Sequence, residues 1–490
     1  MTEDKEQYKS IFKATSLFGG VQVISILASV IKIKIVAILL GTAGVGLISV
    51  YNAISQLFSS LSNLGIQTSA VRDISAANQE GNEEKLSERV STTNTLAWWT
   101  SILGGIITIA LAPVLSRAFF KTNDYSIQII FLSLVVVFTG LYNQEYAILQ
   151  GTRSLKKLAK SSICGVVTGV FVSLPLFYFL RQDGIVPALV ISAFISMAIS
   201  YYYAKKIKIK QYKQSLKQAF LSGIPVIKLG FFVALSNNVA YLVQFLLKGY
   251  ISNCGGLNEV GLFQAGWAIN AQYVGLVFTA MSKDYFPRLC QISNDSYRMR
   301  NSIQEQGEIG LLILAPMIAI MLLFIKLVIN FLYSTEFYSV SSLVSFMLLG
   351  TMFQVISWGV GYVFLAKKDG RLYFFNEVGT KVMTFPLYVI GYYLCGLTGL
   401  GYAFISIQII YLVWVSIVAF KRYRVYYSGS FYRLFITMML PITLITCCGY
   451  IIPESTLCTI IKSILTFIVV VYSIIQLNKR INIMSLLKRK

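Results

Sequence analysis

Apolar stretches of twenty or more residues recur along almost the whole chain of 490 residues. The hydrocarbon core of a bilayer is about 30 Å thick, and an α-helix of roughly 20 apolar residues crosses it. A single signal peptide or anchor would explain one such stretch but not a series of them. Only 13% of the residues are charged and 56% are hydrophobic, which is too little charge to cover a surface that faces water. We therefore expect an all-α polytopic membrane protein.

The apolar stretches predict about 14 transmembrane helices. Each stretch has a length that suits one crossing of the bilayer. The first six lie at 12–40, 45–71, 95–119, 126–149, 158–180 and 185–204. The next six lie at 224–251, 260–285, 309–333, 340–366, 372–395 and 400–420. The last two lie at 432–452 and 457–477.

Lysine and arginine are unequally distributed between the two sets of alternate loops. Of these 42 residues, 32 lie on the side that carries both termini, and only Arg117, Lys121 and Arg181 lie on the other side. Because basic loops stay in the cytoplasm, both termini are predicted to be cytoplasmic in the inner membrane of a bacterium. The net charge of +22 is then mainly a topology signal, and no nucleic-acid partner is expected. The basic run at 205–210 suits an interfacial segment on the anionic inner leaflet of the bilayer.

A short motif occurs at the same place in both halves of the chain. The string Val-Gly-Leu joins the first predicted span to the second at 45–47, and the seventh to the eighth at 260–262. Internal repeats of this kind are typical of transporters. We predict two pseudo-symmetric six-helix lobes around a central cavity, with two further C-terminal helices. The predicted boundaries are an N-terminal lobe at 1–204, a basic cytoplasmic linker at 205–222, a C-terminal lobe at 223–421, and two additional helices with a basic tail at 422–490.

Ionisable side chains inside a membrane are costly and usually face a cavity or a partner. Five lysines inside the predicted spans are candidates for binding an anionic substrate: Lys32, Lys34, Lys248, Lys326 and Lys381. Two acids, Glu145 and Glu377, are candidates for coupling transport to an ion gradient. The alternative for the lysines near span ends is that they extend to the lipid head groups. Because Glu377 precedes Lys381 by four residues, the two can also form a purely structural ion pair.

The lysines of the first and seventh spans occupy similar depths. Lys32 and Lys34 lie past the middle of the first span, and Lys248 lies at nearly the equivalent place in the seventh. Cations at matching positions of two lobes would suit an anion held between them. Because Lys32 and Lys34 are two residues apart, their side chains point in nearly opposite directions on a helix. One of the pair is therefore expected to face the cavity.

Several kinds of chemistry are not expected from this chain. It contains no histidine, and its seven cysteines include no CxxC spacing, so neither a metal site, a cofactor nor a disulfide framework is predicted. A Walker sequence for nucleotide binding is missing as well. The predicted outer loops are short, and their acids are scattered singly. We therefore expect a secondary transporter and not an enzyme.

The order of several short motifs resembles that of a known family. These motifs are Ile31-Lys32-Ile33-Lys34, Ala37-Ile38-Leu39-Leu40-Gly41, Gly44-Val45-Gly46-Leu47, Leu64-Gly65-Ile66, Val71-Arg72, Leu149-Gln150-Gly151, Trp358, Gly361-Tyr362, Ala366-Lys367 and Glu377. They are similar to those of the polysaccharide transporter family of the multidrug/oligosaccharidyl-lipid/polysaccharide exporter superfamily, in particular the O-antigen translocases. The prominence of lysine departs from the arginine-lined cavities of some relatives, and lysine offers an anion a point charge instead of a bidentate fork.

The resemblance implies a flippase. Its substrate would be an undecaprenyl-diphosphate-linked oligosaccharide, such as the O-antigen repeat unit of lipopolysaccharide biosynthesis. The glycan would cross from the cytoplasmic to the periplasmic leaflet by alternating access, with an ion gradient as the energy source. A polysaccharide polymerase and a chain-length regulator are possible protein partners. Two alternatives stay open, namely a cation-coupled multidrug exporter of the same superfamily and a non-transporting scaffold for polysaccharide synthesis.

Overall fold

The computed structural model describes residues 2–63, 65–207, 209–210, 212, 216–367, 369–451 and 455–481. Every regular element within these ranges is a helix, so the predicted all-α fold is confirmed. Nine helical segments of the described residues are long and apolar enough to cross a membrane, and the predicted number of fourteen stays a prediction. Predicted features that lie outside the described residues are Leu64, part of the linker 205–222, the end of the span 432–452, and the tail from 482 onwards.

The chain forms two compact units, Met1–Gly261 and Leu262–Lys490, and the boundary between them lies within one long helix. The helices that begin in the first unit are α1 (Thr2–Asn63), α2 (Ile66–Gln79), α3 (Glu83–Phe120), α4 (Ser126–Gly151), α5 (Leu155–Leu180), a 3-10 turn (Arg181–Gly184), α6 (Ile185–Lys205) and α7 (Leu216–Ala268). Those of the second unit are a π-helical turn (Ile269–Val274), α8 (Gly275–Gln291), α9 (Ser296–Leu323), α10 (Ile325–Leu332), a 3-10 turn (Thr335–Val340), α11 (Ser341–Ala366), α12 (Gly370–Tyr423), α13 (Gly429–Ile451) and α14 (Thr456–Ile481).

Three helices begin at a polar side chain that caps them. The side chains of Asn82, Asp295 and Asp369 accept hydrogen bonds from backbone N–H groups in the first turns of α3, α9 and α12. The first N–H groups of a helix have no partner within the helix, so these caps stabilise the points where the chain turns back towards the membrane.

Small residues bring the helices of the first unit close together. Gly104 of α3 lies against Ser62 of α1, and Gly140 of α4 lies against Ser101 of α3. Such residues allow backbones to approach, which favours helix association where the surrounding solvent is lipid. The outward surface is apolar, and the side chain of Phe179 is 78% exposed. Large exposed aromatic side chains of this kind are expected where hydrocarbon surrounds the protein.

Glycine kinks divide the longest helices. α1 is broken at Gly41 (φ 62°, ψ −164°) and α7 at Gly256 (φ 77°, ψ −178°). This backbone region is accessible essentially only to glycine. Each kink lies five residues before the central glycine of a Val-Gly-Leu string, which is Gly46 in α1 and Gly261 in α7. The two copies of the motif therefore share a backbone conformation as well as a residue pattern, and the division into two repeated lobes stays a prediction.

The two motifs also contact each other within the first unit. A Cβ on Gly46 would overlap the carbonyl oxygen of Leu257, and a Cβ on Gly261 would overlap that of Thr42. Thr42 directly follows the kink of α1, and Leu257 directly follows the kink of α7. The contact is reciprocal because the glycine of each motif faces the carbonyl that follows the kink of the other. The hydroxyl of Thr42 also donates a hydrogen bond to Oδ1 of Asn258 at 2.8 Å. We call this contact the glycine crossing, because no other residue would let the two backbones approach so closely.

Candidate functional site

Lys248 is the most deeply buried of the predicted lysines. It lies on α7 within the first unit, and only 8% of its surface is exposed. Its Nζ approaches the backbone carbonyl of Ser49 on α1 at 3.5 Å, which is too long for a strong hydrogen bond. In the part of the chain that the structure describes, no carboxylate pairs with it. A buried ammonium group with so little compensation is costly, and such positions are typical of functional sites.

The same unit contains a cavity of about 410 Å³, and the described residues that line it include no charged side chain. We call it the amide cavity because five of its residues are amides: Asn52, Gln56, Asn63, Gln67 and Asn143. The other lining residues are Ser55, Ser59, Ser60, Gly65, Thr68, Val135, Thr139 and Tyr241. Amides and hydroxyls can both donate and accept hydrogen bonds. The cavity thus offers a polar environment without net charge, at a volume within the usual range for small-molecule sites.

One face of α1 forms a polar side of the amide cavity. Asn52, Ser55, Ser59 and Asn63 recur at spacings of three and four residues, which places them on one face of the helix. The hydroxyls of Ser55 and Ser59 are buried and have no hydrogen-bond partner among the described residues. Buried polar atoms are normally paired, and these two hydroxyl oxygens are enclosed in the packing behind the wall and do not face the open space of the cavity.

Lys248 lies near one end of the amide cavity. Ser49, whose carbonyl faces the lysine, precedes the lining residue Asn52 by three residues on α1. The lining residue Tyr241 precedes Lys248 by seven residues on α7. At the helical rise these separations correspond to about 4.5 Å and about 10.5 Å along the two axes. The ammonium group is therefore about one helical turn beyond the cavity wall on α1.

The second unit contains a cavity of its own, of about 350 Å³. We call it the aromatic cavity because of its rings: Trp267, Trp358, Tyr362, Tyr373, Tyr388, Phe404 and Tyr411. The other lining residues are Gln354, Ser357, Gly361, Leu365, Glu377, Thr380, Lys381, Thr384, Ile407 and Gln408. The ring of Trp358 stacks on Tyr285 at a centroid distance of 5.6 Å and meets Tyr362 edge to face at 5.1 Å. These contacts stabilise the orientation of the rings that line the cavity.

Glu377 and Lys381 lie one turn apart on α12, and both line the aromatic cavity. Lys381 Nζ donates a hydrogen bond to Oε2 of Glu377 at 2.9 Å, so the ion pair that their spacing allows is formed. The side chain of Lys381 is 28% exposed and that of Glu377 is 27% exposed. Beside them, Asn376 Nδ2 donates to the hydroxyl of Tyr411 at 3.1 Å and holds that ring in place. The geometry suits a structural pair as well as polar contacts to a ligand.

Three of the predicted lysines are not among the lining residues of either cavity. Lys32 on α1 has its Nζ 5.9 Å from the ring centre of Phe177 on α5, which is a cation–π distance. Lys34 is half-buried two residues further along the same helix. Lys326 on α10 is exposed, with its Nζ 5.6 Å from the ring centre of Tyr338. A role in substrate binding stays a prediction for all three.

The two acids predicted to couple an ion have different surroundings. Glu377 is paired with Lys381, as described above. Glu145 is half-buried on α4, two residues from Asn143 of the amide cavity. Within the described residues it makes neither an ion pair nor a hydrogen bond. Ion coupling through either acid stays a prediction.

A prediction based on charge missed the amide cavity. Its signal is nevertheless present in the sequence, because Asn52, Gln56, Ser59 and Asn63 interrupt an apolar span at helical spacing. Neutral polar side chains in a span favour contacts between helices or the lining of a cavity. A search for ionisable residues does not detect them.

The chain is similar to proteins of polysaccharide synthesis and lipid transport. A family model described as polysaccharide biosynthesis protein matches residues 35–342. The lipid III flippase of Escherichia coli (strain K12) is 23% identical over 415 residues, covering 82% of this chain and 96% of that protein. The lipid III flippase of Shigella flexneri matches with the same identity and coverage.

Solved structures share the fold. The lipid II flippase MurJ in an inward closed conformation has a TM-score of 0.65 at 13% identity, covering 96% of this chain and 99% of that one. An inward-facing multidrug resistance MATE family transporter of the MOP superfamily has a TM-score of 0.64 at 14% identity, covering 81% and 94%. The predicted polytopic helical fold and the resemblance to polysaccharide transporters are thereby confirmed. The family model matches more than half of the length of this chain, and the chain therefore belongs to the polysaccharide biosynthesis protein family.

Proposed function

We propose that the protein moves lipid-linked oligosaccharides from the inner to the outer leaflet of the bacterial cytoplasmic membrane. Its curated relatives are named lipid III flippases, and a solved structure with the same fold is a lipid II flippase. The family model is described in terms of polysaccharide biosynthesis. A lipid that carries a polysaccharide precursor is a substrate that agrees with both descriptions, lipid flipping and polysaccharide biosynthesis. All of these relatives with a stated activity are flippases or transporters, and none is an enzyme.

The observation that best supports this substrate is the buried Lys248 beside the amide cavity. A lipid diphosphate is an anion, and a buried ammonium group can make strong charge-assisted hydrogen bonds to it. The attached sugars need a polar environment within the membrane, and the amide cavity offers one. A cavity for cationic drugs would favour acidic side chains, and none of the described residues that line the amide cavity is acidic. These features favour a flippase over the drug-exporter alternative.

The finer parts of the proposal follow from the sequence. Both termini lie in the cytoplasm, and two lobes alternate between inward and outward access. The lipid is undecaprenyl diphosphate, and its glycan is an O-antigen unit or a related surface repeat. The remaining lysines, Lys32, Lys34, Lys326 and Lys381, add contacts to the diphosphate at other stages of transport. Glu145 or Glu377 couples the movement to an ion gradient, and a polymerase with its chain-length regulator receives the product.

Depletion of the protein in cells tests the proposed function directly. Lipid-linked oligosaccharide should accumulate in the cytoplasmic leaflet, because synthesis continues while transport stops. The distribution can be measured with a membrane-impermeant reagent that labels only outward-facing sugars. An unchanged distribution after depletion would refute the proposal.

Complementation of the depleted cells with a Lys248→Met variant tests whether Lys248 contributes to flipping. Methionine keeps an unbranched side chain that is one atom shorter and removes the charge, so flipping should fall by about 10- to 100-fold, as expected for the loss of a charge-assisted hydrogen bond. Lys421→Met is the matched control, because Lys421 is exposed at the end of α12 and lies outside both cavities. Full activity of Lys248→Met at equal membrane abundance would exclude Lys248 from the site.

A further inference from the structure

We infer that a small pocket of the second unit, lined by two lysines, binds the phosphate group of a lipid. We call it the lysine pocket, and its polar lining residues include Lys326, Lys462, Ser341, Ser342, Ser345 and Tyr450. It shares no described lining residue with the amide cavity or the aromatic cavity. The phosphate can belong to a phospholipid of the surrounding leaflet or to the transported lipid as it leaves. Only the second of these sources rests on the proposed function.

The lysine pocket lies where several helices of the second unit begin or end. It is lined by the start of α10, the start of α11, the end of α13 and the second turn of α14. Lys462 is six residues from the start of α14, which corresponds to about 9 Å along the helix axis. The polar layer of a bilayer is about 5–8 Å thick on each side, so a lysine that extends from this depth reaches the lipid phosphates. In the predicted topology this end of the helices faces the periplasm.

The polar side chains of the pocket suit an anion. Two lining residues are lysines, and none of the described lining residues is acidic. Like charges that share a small space repel each other, and an anion between them lowers that cost. Ser342 and Ser345 are one turn apart on the same face of α11, and their hydroxyls can donate to phosphate oxygens. The hydroxyl of Thr446 instead donates to the carbonyl of Ile442 at 2.9 Å, and no such bond involves the two serines within the described residues.

The size of the pocket limits what it can hold. Its volume is about 40 Å³. A buried water needs about 10–15 Å³, so the pocket has room for about three groups of that size. This suits the oxygens of one phosphate group and is too small for a sugar ring. Because the side chains of both lysines line so small a space, one phosphate can accept charge-assisted hydrogen bonds from both.

The ammonium group of Lys462 extends towards α13. A Cβ on Gly449 would lie 2.7 Å from Nζ of Lys462 and 3.1 Å from its Cε. The ammonium group therefore lies against the backbone of α13, in a place that a larger residue than glycine would obstruct. The neighbouring ring of Tyr450 meets Phe346 of α11 edge to face at a centroid distance of 5.4 Å. A lysine that only extended along the lipid-facing surface would not need this space beside α13.

The surroundings of the pocket favour a phosphate that carries apolar chains. Leu327, next to Lys326, is 65% exposed, and Ile464, two residues after Lys462, is 54% exposed. In a membrane such side chains contact hydrocarbon. Basic pockets between transmembrane helices bind anionic lipid head groups in other membrane proteins. Inorganic phosphate would gain the polar contacts of the pocket but none of the apolar ones.

Native mass spectrometry of the full-length protein in a neutral detergent tests this inference, because it resolves bound lipids one by one. The probes are phosphatidylglycerol and diacylglycerol with the same chains, with inorganic phosphate as a competitor. Wild type should bind phosphatidylglycerol more tightly than diacylglycerol. In Lys326→Met/Lys462→Met the affinity for phosphatidylglycerol should fall by about 30-fold, at about fivefold for each lysine. The affinity for diacylglycerol should be unchanged, which also reports that the variant is folded.

Two further variants isolate the role of the pocket. Lys479→Met is the matched control, because Lys479 is exposed in the last turn of α14, at the opposite end of that helix. It should bind phosphatidylglycerol as wild type does. Gly449→Ala keeps every charge, and its methyl group displaces only the flexible end of Lys462. Its affinity for phosphatidylglycerol should fall by about fivefold, which is the contribution of that one lysine.

A second lipid distinguishes the two sources of the phosphate. Undecaprenyl diphosphate is compared among proteins that all carry Lys248→Met, so that the site of the proposed function does not contribute. A loss of phosphatidylglycerol binding in the double variant assigns a phospholipid, and a loss confined to undecaprenyl diphosphate assigns the transported lipid.

The inference is overturned if the double variant binds both lipids as its parent does, or if Lys479→Met loses as much affinity. It is also overturned if inorganic phosphate displaces phosphatidylglycerol at equal concentration. An unchanged leaflet distribution after depletion in cells would refute the proposed function and leave the phospholipid result standing.

Discussion

Replacing Gly46 by alanine tests the glycine crossing. A Cβ at this position would lie 2.9 Å from the carbonyl carbon of Leu257 and would overlap its oxygen. Because carbon atoms pack at about 3.5–4.0 Å, the two backbones would have to separate by about 1 Å. The hydrogen bond from Thr42 to Asn258, now 2.8 Å long, would then exceed the about 3.2 Å that a useful bond allows.

The expected cost combines two effects. Over-packing of a tight contact costs about 1–3 kcal/mol, and the lost hydrogen bond costs about 0.5–1.5 kcal/mol. We therefore expect Gly46→Ala to lower the free energy of unfolding by about 2–4 kcal/mol. At about 2.1 cal/mol/K per residue, a chain of 490 residues has an unfolding entropy of about 1 kcal/mol/K, so each kcal/mol corresponds to about 1 °C in its melting temperature. The melting temperature of Gly46→Ala should thus fall by about 2–4 °C.

Scanning fluorimetry of the purified protein in detergent measures this change. Gly169→Ala is the matched control within the first unit, because a Cβ there would meet Ser192 at an ordinary 3.6 Å. Alanine also has the higher helix propensity, so the control should melt at or slightly above the wild-type temperature. A Gly46→Ala variant that melts within about 1 °C of wild type would refute the reasoning, because tight backbone contact and tolerance of a methyl group are incompatible.

Two further predictions concern the second unit. Glu377→Gln or Lys381→Met alone should lower the free energy of unfolding by about 1 kcal/mol, because each leaves the partner charge unpaired. The double variant Glu377→Gln/Lys381→Met should lose less than the sum of the two single losses. Thermal melts of wild type and the three variants measure these losses, and strictly additive values would contradict the prediction. Hydrogen bonds from the backbone N–H of Leu372 and the hydroxyl of Tyr423, with the nearby Arg422, hold the pKa of the Asp369 carboxyl below its ordinary value. This stabilisation is present above about pH 4 and is lost as the pH falls through the lowered pKa. Asp369→Asn should therefore be less stable than wild type at pH 7 by about 1 kcal/mol, and the difference should shrink as the pH falls below about 4. A difference that stays constant in acid would contradict the assignment.

The helical membrane fold could be predicted because lipid imposes one strong requirement on a sequence. Each backbone polar group must be paired within the span, and each span must be apolar over about 20 residues. The number of helices is harder to predict. At Gly41 and Gly256 the chain changes direction at a single residue, so two predicted spans continue as one helical segment. Hydropathy does not distinguish such a kink from a short loop.

The sequence gives the position of a charged residue along its predicted span, but it does not give the direction of the side chain. Lys32 and Lys248 have similar positions in their predicted spans, yet Lys32 approaches the ring of Phe177 and Lys248 approaches the carbonyl of Ser49. The rotation of each helix about its axis decides this difference, and that rotation depends on packing against neighbours. The Glu377–Lys381 pair was predictable because both partners lie on one helix, where spacing alone determines proximity.

The reciprocal form of the glycine crossing bears on how such a chain can evolve. Thr42 and Leu257 each present a carbonyl to the glycine of the other motif, which is the rule of an isologous interface between two identical subunits. A half-length ancestor that paired with its own copy would have made this contact twice with one set of residues. If the chain arose by fusion of two such genes, most positions would be free to diverge separately, whereas each of the two glycines would stay constrained by the backbone carbonyl that faces it. A methyl group at either glycine would disturb the contact of both motifs, so we expect the two positions to be constrained together.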